Sequence, residues 1–133
     1  MKKAILLVAA VALLAVLFAG CAGGAGRGSS GPDGPILNAA GNPVSGTATG
    51  SARGYSSDVK VTITIANGMI TDVVFDLSGE TPAFVAGVGM RGPGEMKENN
   101  RPEIDVVTGV TLTCDAINLA AKAAVDAIIA ASR

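Results

Sequence analysis

Hydrophobic and polar positions alternate most sharply over residues 58–66, where Val59, Val61, Ile63 and Ile65 are separated by Lys60, Thr62 and Thr64. A period of two predicts a strand with one face in a core and the other in water. Residues 46–55 alternate in a different way, setting the small residues Ala48, Gly50, Ala52 and Gly54 against Thr47, Thr49, Ser51, Arg53 and Tyr55. This reads as a strand whose small face lets something approach closely. Asn67-Gly68 then turns the chain into a third strand ending near Ser78. A three-residue loop, 66–68, with Gly68 left-handed, pairs Val61 with Val73 and Val59 with Phe75, whereas a two-residue loop sets Ile63 opposite Asp72 on the apolar face. The expectation is therefore the three-residue loop, and pairing of Ala66 with Met69 would contradict it.

Beyond Ser78-Gly79-Glu80-Thr81-Pro82, residues 83–90 include Gly87 and Gly89, too much glycine to favour a helix. Residues 91–102 are polar and hold Pro93 and Pro102, which predicts an irregular connection or a short broken helix. A short apolar run, 104–107, leads to a turn at Thr108-Gly109. From 113 to 131 the spacing is helical: Ile117, Ala121, Ala124, Val125 and Ile128 form one stripe, with Asn118, Lys122 and Asp126 on the opposite face. The whole predicts an α+β domain over residues 46–133, a small antiparallel sheet covered by a C-terminal helix.

The amino-terminal part has another character. Lys2-Lys3 followed by the apolar run 4–19 and small residues has the form of a secretory signal, and its sixteen apolar residues fall short of the roughly 20 that span a membrane. Leu17-Phe18-Ala19-Gly20-Cys21 looks like a bacterial lipobox, which divides the chain into a signal peptide at 1–20 and a lipidated Cys21. An uncleaved anchor helix is the other reading, and either one puts the domain outside the cytoplasm. Residues 21–45 are rich in Gly, Ser, Ala and Pro and read as a flexible tether, with a reach on the order of 25–30 Å. Composition does not separate a leash that brings the domain to membrane partners from a plain spacer.

Composition narrows the chemistry. Without Lys2 and Lys3 the ten basic side chains become eight against eleven acidic ones, a formal charge of −3, which argues against nucleic acid as a partner. The chain has no histidine and two cysteines, Cys21 and Cys114. A Ser-His-Asp triad, a closed zinc or iron–sulfur site and a disulfide framework are thereby excluded or unsupported, and no metal ligand set is expected. With no tryptophan in the chain, Tyr55, Phe84 and Met90 are the candidates to cover an aromatic ligand.

One stretch does carry a positive signal: Asp105-Val106-Val107-Thr108-Gly109-Val110-Thr111-Leu112-Thr113. A hydroxyl-rich turn opening a helix is a natural anion site, because the first N–H groups lack intrahelical partners and carry the positive dipole end. Threonines before a helix are also ordinary caps. The segment resembles the flavinylation motif of the FMN-binding domain family, through Asp105, Thr108, Gly109, Thr111 and Thr113. Val110 stands where that motif usually has Ala, and Cys114 where Ser is common. The resemblance extends over residues 46–131 and includes the Glu80-Thr81-Pro82 segment, which it implies lies near the flavin ring.

In that family a flavin transferase uses FAD to attach FMN through its phosphate to a threonine, and the match implies Thr111. It also implies that Asp105 and Thr108 serve recognition and turn geometry, that Gly109 lets the backbone approach the phosphate, and that Thr113 and Thr81 belong to the cofactor site. No catalytic residue is expected on the chain itself. The function implied is a lipid-anchored, extracytoplasmic flavoprotein passing electrons between a membrane donor and a reductase or extracellular acceptor. Two alternatives stay open: an envelope-binding or adhesion lipoprotein without flavin, and a detached FMN subunit of a separate reductase.

Overall fold

The computed structural model describes residues 33–133. The signal peptide, Cys21 and the first part of the expected tether lie outside them. Three strands and two helices follow in order: β1 (Gly46–Arg53), β2 (Asp58–Ala66), β3 (Met69–Asp76), α1 (Pro82–Asn99) and α2 (Thr111–Ala131). The sheet has the order β1-β2-β3, antiparallel throughout. With the C-terminal helix packed on the sheet, the architecture is α+β.

The core lies where the alternation puts it. Val59, Val61, Ile63 and Ile65 of β2 are all buried, as are Ala116, Ile117, Ala120, Ala121, Ala124, Val125 and Ile128 of α2. The close approach foreseen for the small face of β1 is made by α2. A Cβ placed on Gly50 would lie 1.8 Å from the carbonyl oxygen of Ala120 and 2.9 Å from the nitrogen of Ala124. The helix therefore crosses the strand backbone to backbone, and alanines at the crossing permit the same closeness from its side.

The hairpin corrects one expectation. Ala66 pairs with Met69, so the loop has two residues, Asn67 and Gly68, both with positive φ (50° and 77°) as a primed turn requires. The aspartate problem is solved further along. A bulge at Thr71 shifts the register, so that Ile63 faces Val73 and Val61 faces Phe75. Ile70 and Val73 are then both buried while Thr71 and Asp72 stay outside. An extra residue in one strand does what a longer loop was expected to do.

The middle segment is a second correction. Residues 82–99 form one continuous 18-residue helix despite five glycines and prolines after Ala86, with Pro82 at its first turn, where the missing N–H costs nothing. Its buried positions, Val85, Val88, Gly92 and Met96, recur at helical spacing. Gly92 has a packing reason: a Cβ there would come within 2.5 Å of the Phe75 ring. Tertiary burial outweighs poor propensity here. The helix ends at Asn100, left-handed at φ 50° and only 2% exposed. Its side chain accepts from the Ile70 N–H (2.7 Å) and donates to the carbonyls of Gly34 and Gly68 (both 3.0 Å).

Residues 33–45, assigned by composition to the tether, are folded against the domain. Val44 is 1% exposed, Leu37 and Pro43 form a bridge, and Ile36 and Val44 bond the turn at Gly68 through its carbonyl and N–H. Asn38 donates to the carbonyl of Ser132 at the far end of α2 (2.9 Å). Few but well-placed apolar residues and backbone bonding anchor a segment whose composition reads as loop. Asn118, expected on the solvent face, is half-buried and brackets Ile104, accepting from its N–H (2.8 Å) and donating to its carbonyl (3.2 Å).

Candidate functional site

A cleft of about 390 Å³ opens between the loop after β1 and the amino-terminal ends of both helices. Tyr55 comes from the loop; Glu80, Thr81, Phe84 and Val85 from the start of α1; and residues 109–113 from the start of α2. Each wall has a local cause. Thr81 precedes the helix at φ −72°, ψ 114° and offers its side chain to no capping bond. Gly109 turns the chain at φ +93°, and Val110, at the N-cap of α2, has no polar side-chain atom to give. Neither helix has an acidic residue in its first turn. Two positive helix ends thus meet one cleft with their N–H groups uncapped by side chains.

Apolar surface surrounds the opening. Tyr55, Phe84 and Leu112 are 69%, 63% and 59% exposed, an unusual disposition for the larger side chains of a chain with few aromatics. Among the residues that line the cleft none is Lys or Arg. Negative charge on a ligand would be met there by backbone N–H groups and helix dipoles.

Glu80 lies at the base. It is 4% exposed, and its Oε1 accepts from the N–H groups of Ser56 and Ser57 (2.9 Å each), while Oε2 accepts from the Tyr55 N–H (3.3 Å) and the Thr113 hydroxyl (2.7 Å). Burial pushes the carboxyl up, yet the bonds from Ser57, Thr113, Ser56 and Tyr55 together outweigh it and hold the group below its ordinary value of 4.5. Two glycines make room: a Cβ on Gly54 would crowd Glu80 Oε1 at 2.7 Å, and one on Gly79 would strike the Ser57 hydroxyl at 2.2 Å. The carboxylate is thus a buried, ionised strut joining three segments.

Thr81, Gly109, Thr111 and Thr113, all singled out in the sequence, line the cleft together with Tyr55 and Phe84. Thr111 is exposed as the first residue of α2, while Thr113 is 2% exposed and spends its hydroxyl on Glu80. Asp105 and Thr108 are exposed on the approach to the turn, outside the cleft lining. The Asp105 backbone is tied to α1 through the Glu95 carboxylate (2.8 Å). Met90 is 83% exposed on α1 and does not line the cleft. Sequence reasoning placed the Glu80-Thr81-Pro82 segment near the ring but gave Glu80 no role of its own; Gly54, which makes room for its carboxylate, and Gly79, which precedes it, were the available signal.

Comparison with known proteins agrees with this geometry. Residues 54–126 match the family model described as the FMN-binding domain. Over 82 residues the chain is 32% identical to an NADH:acrylate oxidoreductase from Vibrio harveyi, an alignment covering 62% of this chain and 8% of that protein. The chain is thus similar to a small part of a much longer relative. With more than half its length matched, it belongs to the FMN-binding domain family, and its cofactor is FMN. The cleft fits such a group: uncapped helix N–H groups suit a phosphate, and exposed aromatic side chains suit a flat apolar ring.

Proposed function

We propose that this FMN-binding domain carries its flavin covalently on Thr111 and serves as an electron-transfer module held at the outer face of the cytoplasmic membrane through Cys21. The observation that carries the reading is the place of Thr111: an exposed hydroxyl on the first residue of a 21-residue helix, inside a cleft faced with Tyr55, Phe84 and Leu112. In the attachment a bond forms between Thr111 Oγ1 and the FMN phosphorus of FAD, the pyrophosphate bond breaks, and AMP leaves. An FAD-dependent transferase supplies the catalysis. The exposed Asp105 and Thr108 offer that enzyme a handle outside the cleft, and Val110, apolar at the N-cap, leaves the adjacent N–H groups to the phosphodiester.

When bound, FMN supplies one- and two-electron transfer. The chain's own residues position it. The first turn of α2 orients N–H groups toward the phosphodiester, worth about 0.3–1 kcal/mol through the dipole and more where partly buried. Tyr55 and Phe84 give the ring apolar cover, and Thr81 and the start of α1 supply polar groups on the facing wall. A membrane donor and a reductase or extracellular acceptor are the partners this reading calls for. Similarity to part of an NADH:acrylate oxidoreductase supports a module that works beside or within a larger redox protein.

The test is intact mass and in-gel flavin fluorescence of the full chain, produced with and without an active flavin transferase. One FMN-phosphoryl addition mapped to Thr111, and absent from T111A, is the expected result. An unchanged mass beside a fully active transferase would overturn the covalent assignment. Labelling with a radioactive fatty acid, lost in C21A, tests the anchor separately.

A further inference from the structure

We infer that Glu80 is a positioning residue that couples the first turn of α2 to Tyr55, so that the attachment point and the ring cover of the cleft hold one mutual geometry. The inference rests on the proposed flavin site and deepens it. Its basis is a split in the contacts of one carboxylate. Oε1 is fully engaged by Ser56 and Ser57, which close the loop after β1, but Oε2 is shared between two different walls of the cleft. On one side it takes the Tyr55 N–H at 3.3 Å; on the other it takes the hydroxyl of Thr113 at 2.7 Å, two residues along the chain from Thr111. No other side chain is bonded to both walls among the described residues.

The bond to Thr113 is short and buried, and the Tyr55 side chain itself is 69% exposed, so packing does little to fix the tyrosine. Its backbone is held instead. The loop is narrowed at Gly54, whose N–H donates to the Ser57 carbonyl at 2.7 Å and whose missing side chain lets the carboxylate in. Three successive N–H groups, 55 to 57, converge on the carboxylate, a nest that only a compact anion satisfies. A movement of the α2 first turn would therefore pull on the same oxygen that orients Tyr55.

An amide at position 80 tests the split atom by atom. In E80Q the carbonyl oxygen serves Ser56 and Ser57, and the NH₂ donates to the Thr113 hydroxyl, but that NH₂ faces the Tyr55 N–H donor to donor. T113V removes the other arm and leaves all three loop bonds in place, while T113S keeps the hydroxyl. Because the chain has one tyrosine and no tryptophan, the near-ultraviolet tyrosine band and tyrosine anisotropy report Tyr55 alone.

The experiment records far-ultraviolet circular dichroism, the tyrosine band and tyrosine anisotropy of the full chain without flavin, then the midpoint potential and visible circular dichroism of the FMN-loaded forms. Expected are an intact fold in all variants, loss of most of the Tyr55 band in E80Q and T113V, the parental band in T113S, and a shifted flavin potential and visible spectrum in the first two only. Folded E80Q and T113V with the parental Tyr55 signal would overturn the coupling. Altered Tyr55 with parental flavin potential and spectrum would overturn the link to the ring. A parent chain that takes no FMN beside an active transferase defeats the attachment reading alone, since the tyrosine signal of the unloaded chain still decides the coupling.

Discussion

Replacing Gly50 by alanine puts one methyl group where α2 crosses β1. The new Cβ would stand 1.8 Å from Ala120 O, 2.8 Å from Ala120 C and 2.9 Å from Ala124 N. All three are backbone atoms, so no rotamer change relieves the clash. To reach an ordinary contact near 3.4 Å the helix has to retreat by about 1.5 Å, and a radial gap of even 0.5–1 Å forfeits roughly a quarter to a half of each dispersion contact it opens. Ala121, Ala124, Val125 and Ile128 share that helix face and are buried with it. Overpacking usually costs 1–3 kcal/mol, and a rigid backbone partner places G50A at about 3 kcal/mol or above. For a domain of roughly 100 residues that corresponds to a fall in Tm of about 12 °C or more. The control is G87A in α1, where a Cβ meets nothing within 4 Å and alanine should stabilise by about 0.5–1 kcal/mol. Thermal and urea unfolding followed at 222 nm measure both. A G50A transition that coincides with the parent's would refute the crossing as the cause of the glycine.

Three further perturbations read other parts of the structure. N100A should lose about 3 kcal/mol or more in urea titration, because it leaves the Ile70 N–H and the Gly34 carbonyl unpartnered, removes one of the two donors to the Gly68 carbonyl, and puts a Cβ-bearing residue without Asn's tolerance at φ 50°; N100A unfolding with the parent's midpoint would refute that role. Since Glu80 sits below its ordinary 4.5 when folded, the stability it contributes is present above that value and is lost as pH falls through the lower folded pKa; the gap between parent and E80Q in urea midpoint should therefore close on acidification, and a gap that widens would show the sign to be wrong. T111A should carry no covalent FMN while T113S carries the parent's amount; flavin retained by T111A on a denaturing gel would reassign the acceptor.

The sheet and the closing helix were legible because their signals are periodic and long. Val59 to Ile65 alternate without exception, and Ile117 to Ile128 keep helical spacing for three turns, so both buried faces follow from position alone. What stayed hidden was decided by contacts remote in sequence. The bulge at Thr71 exists because Ile70 and Val73 both need the core face, a choice among registers that turn chemistry at Asn67-Gly68 does not make. Helix α1 holds glycines and Pro93 that local propensity disfavours, and Phe75 and Ile104, packed at Gly92, explain why one of those glycines is wanted. Residues 33–45 looked like tether because their order comes from backbone bonds to Gly68 and from Asn38 reaching Ser132, none of which has a local signature.

The cleft combines two anion-binding devices that have to be kept apart. The nest at Tyr55, Ser56 and Ser57 is filled by Glu80, an internal anion that is part of the fold, while the first turn of α2 has no acidic residue and no side-chain cap. Were the nest open as well, a phosphate would have a further place to bind beside the two helix ends. Were both filled, the helix would have no free dipole end to offer. Thr113 joins them at the point where they could interfere: its hydroxyl donates to Glu80 Oε2, a charge-assisted bond that ties the ionised carboxylate to the start of the helix. One threonine of the motif is thus engaged in the fold through Glu80, while another, Thr111, is exposed and lines the cleft. Spacing two residues apart on a helix start separates the two duties, because positions i and i+2 point to different sides of the first turn.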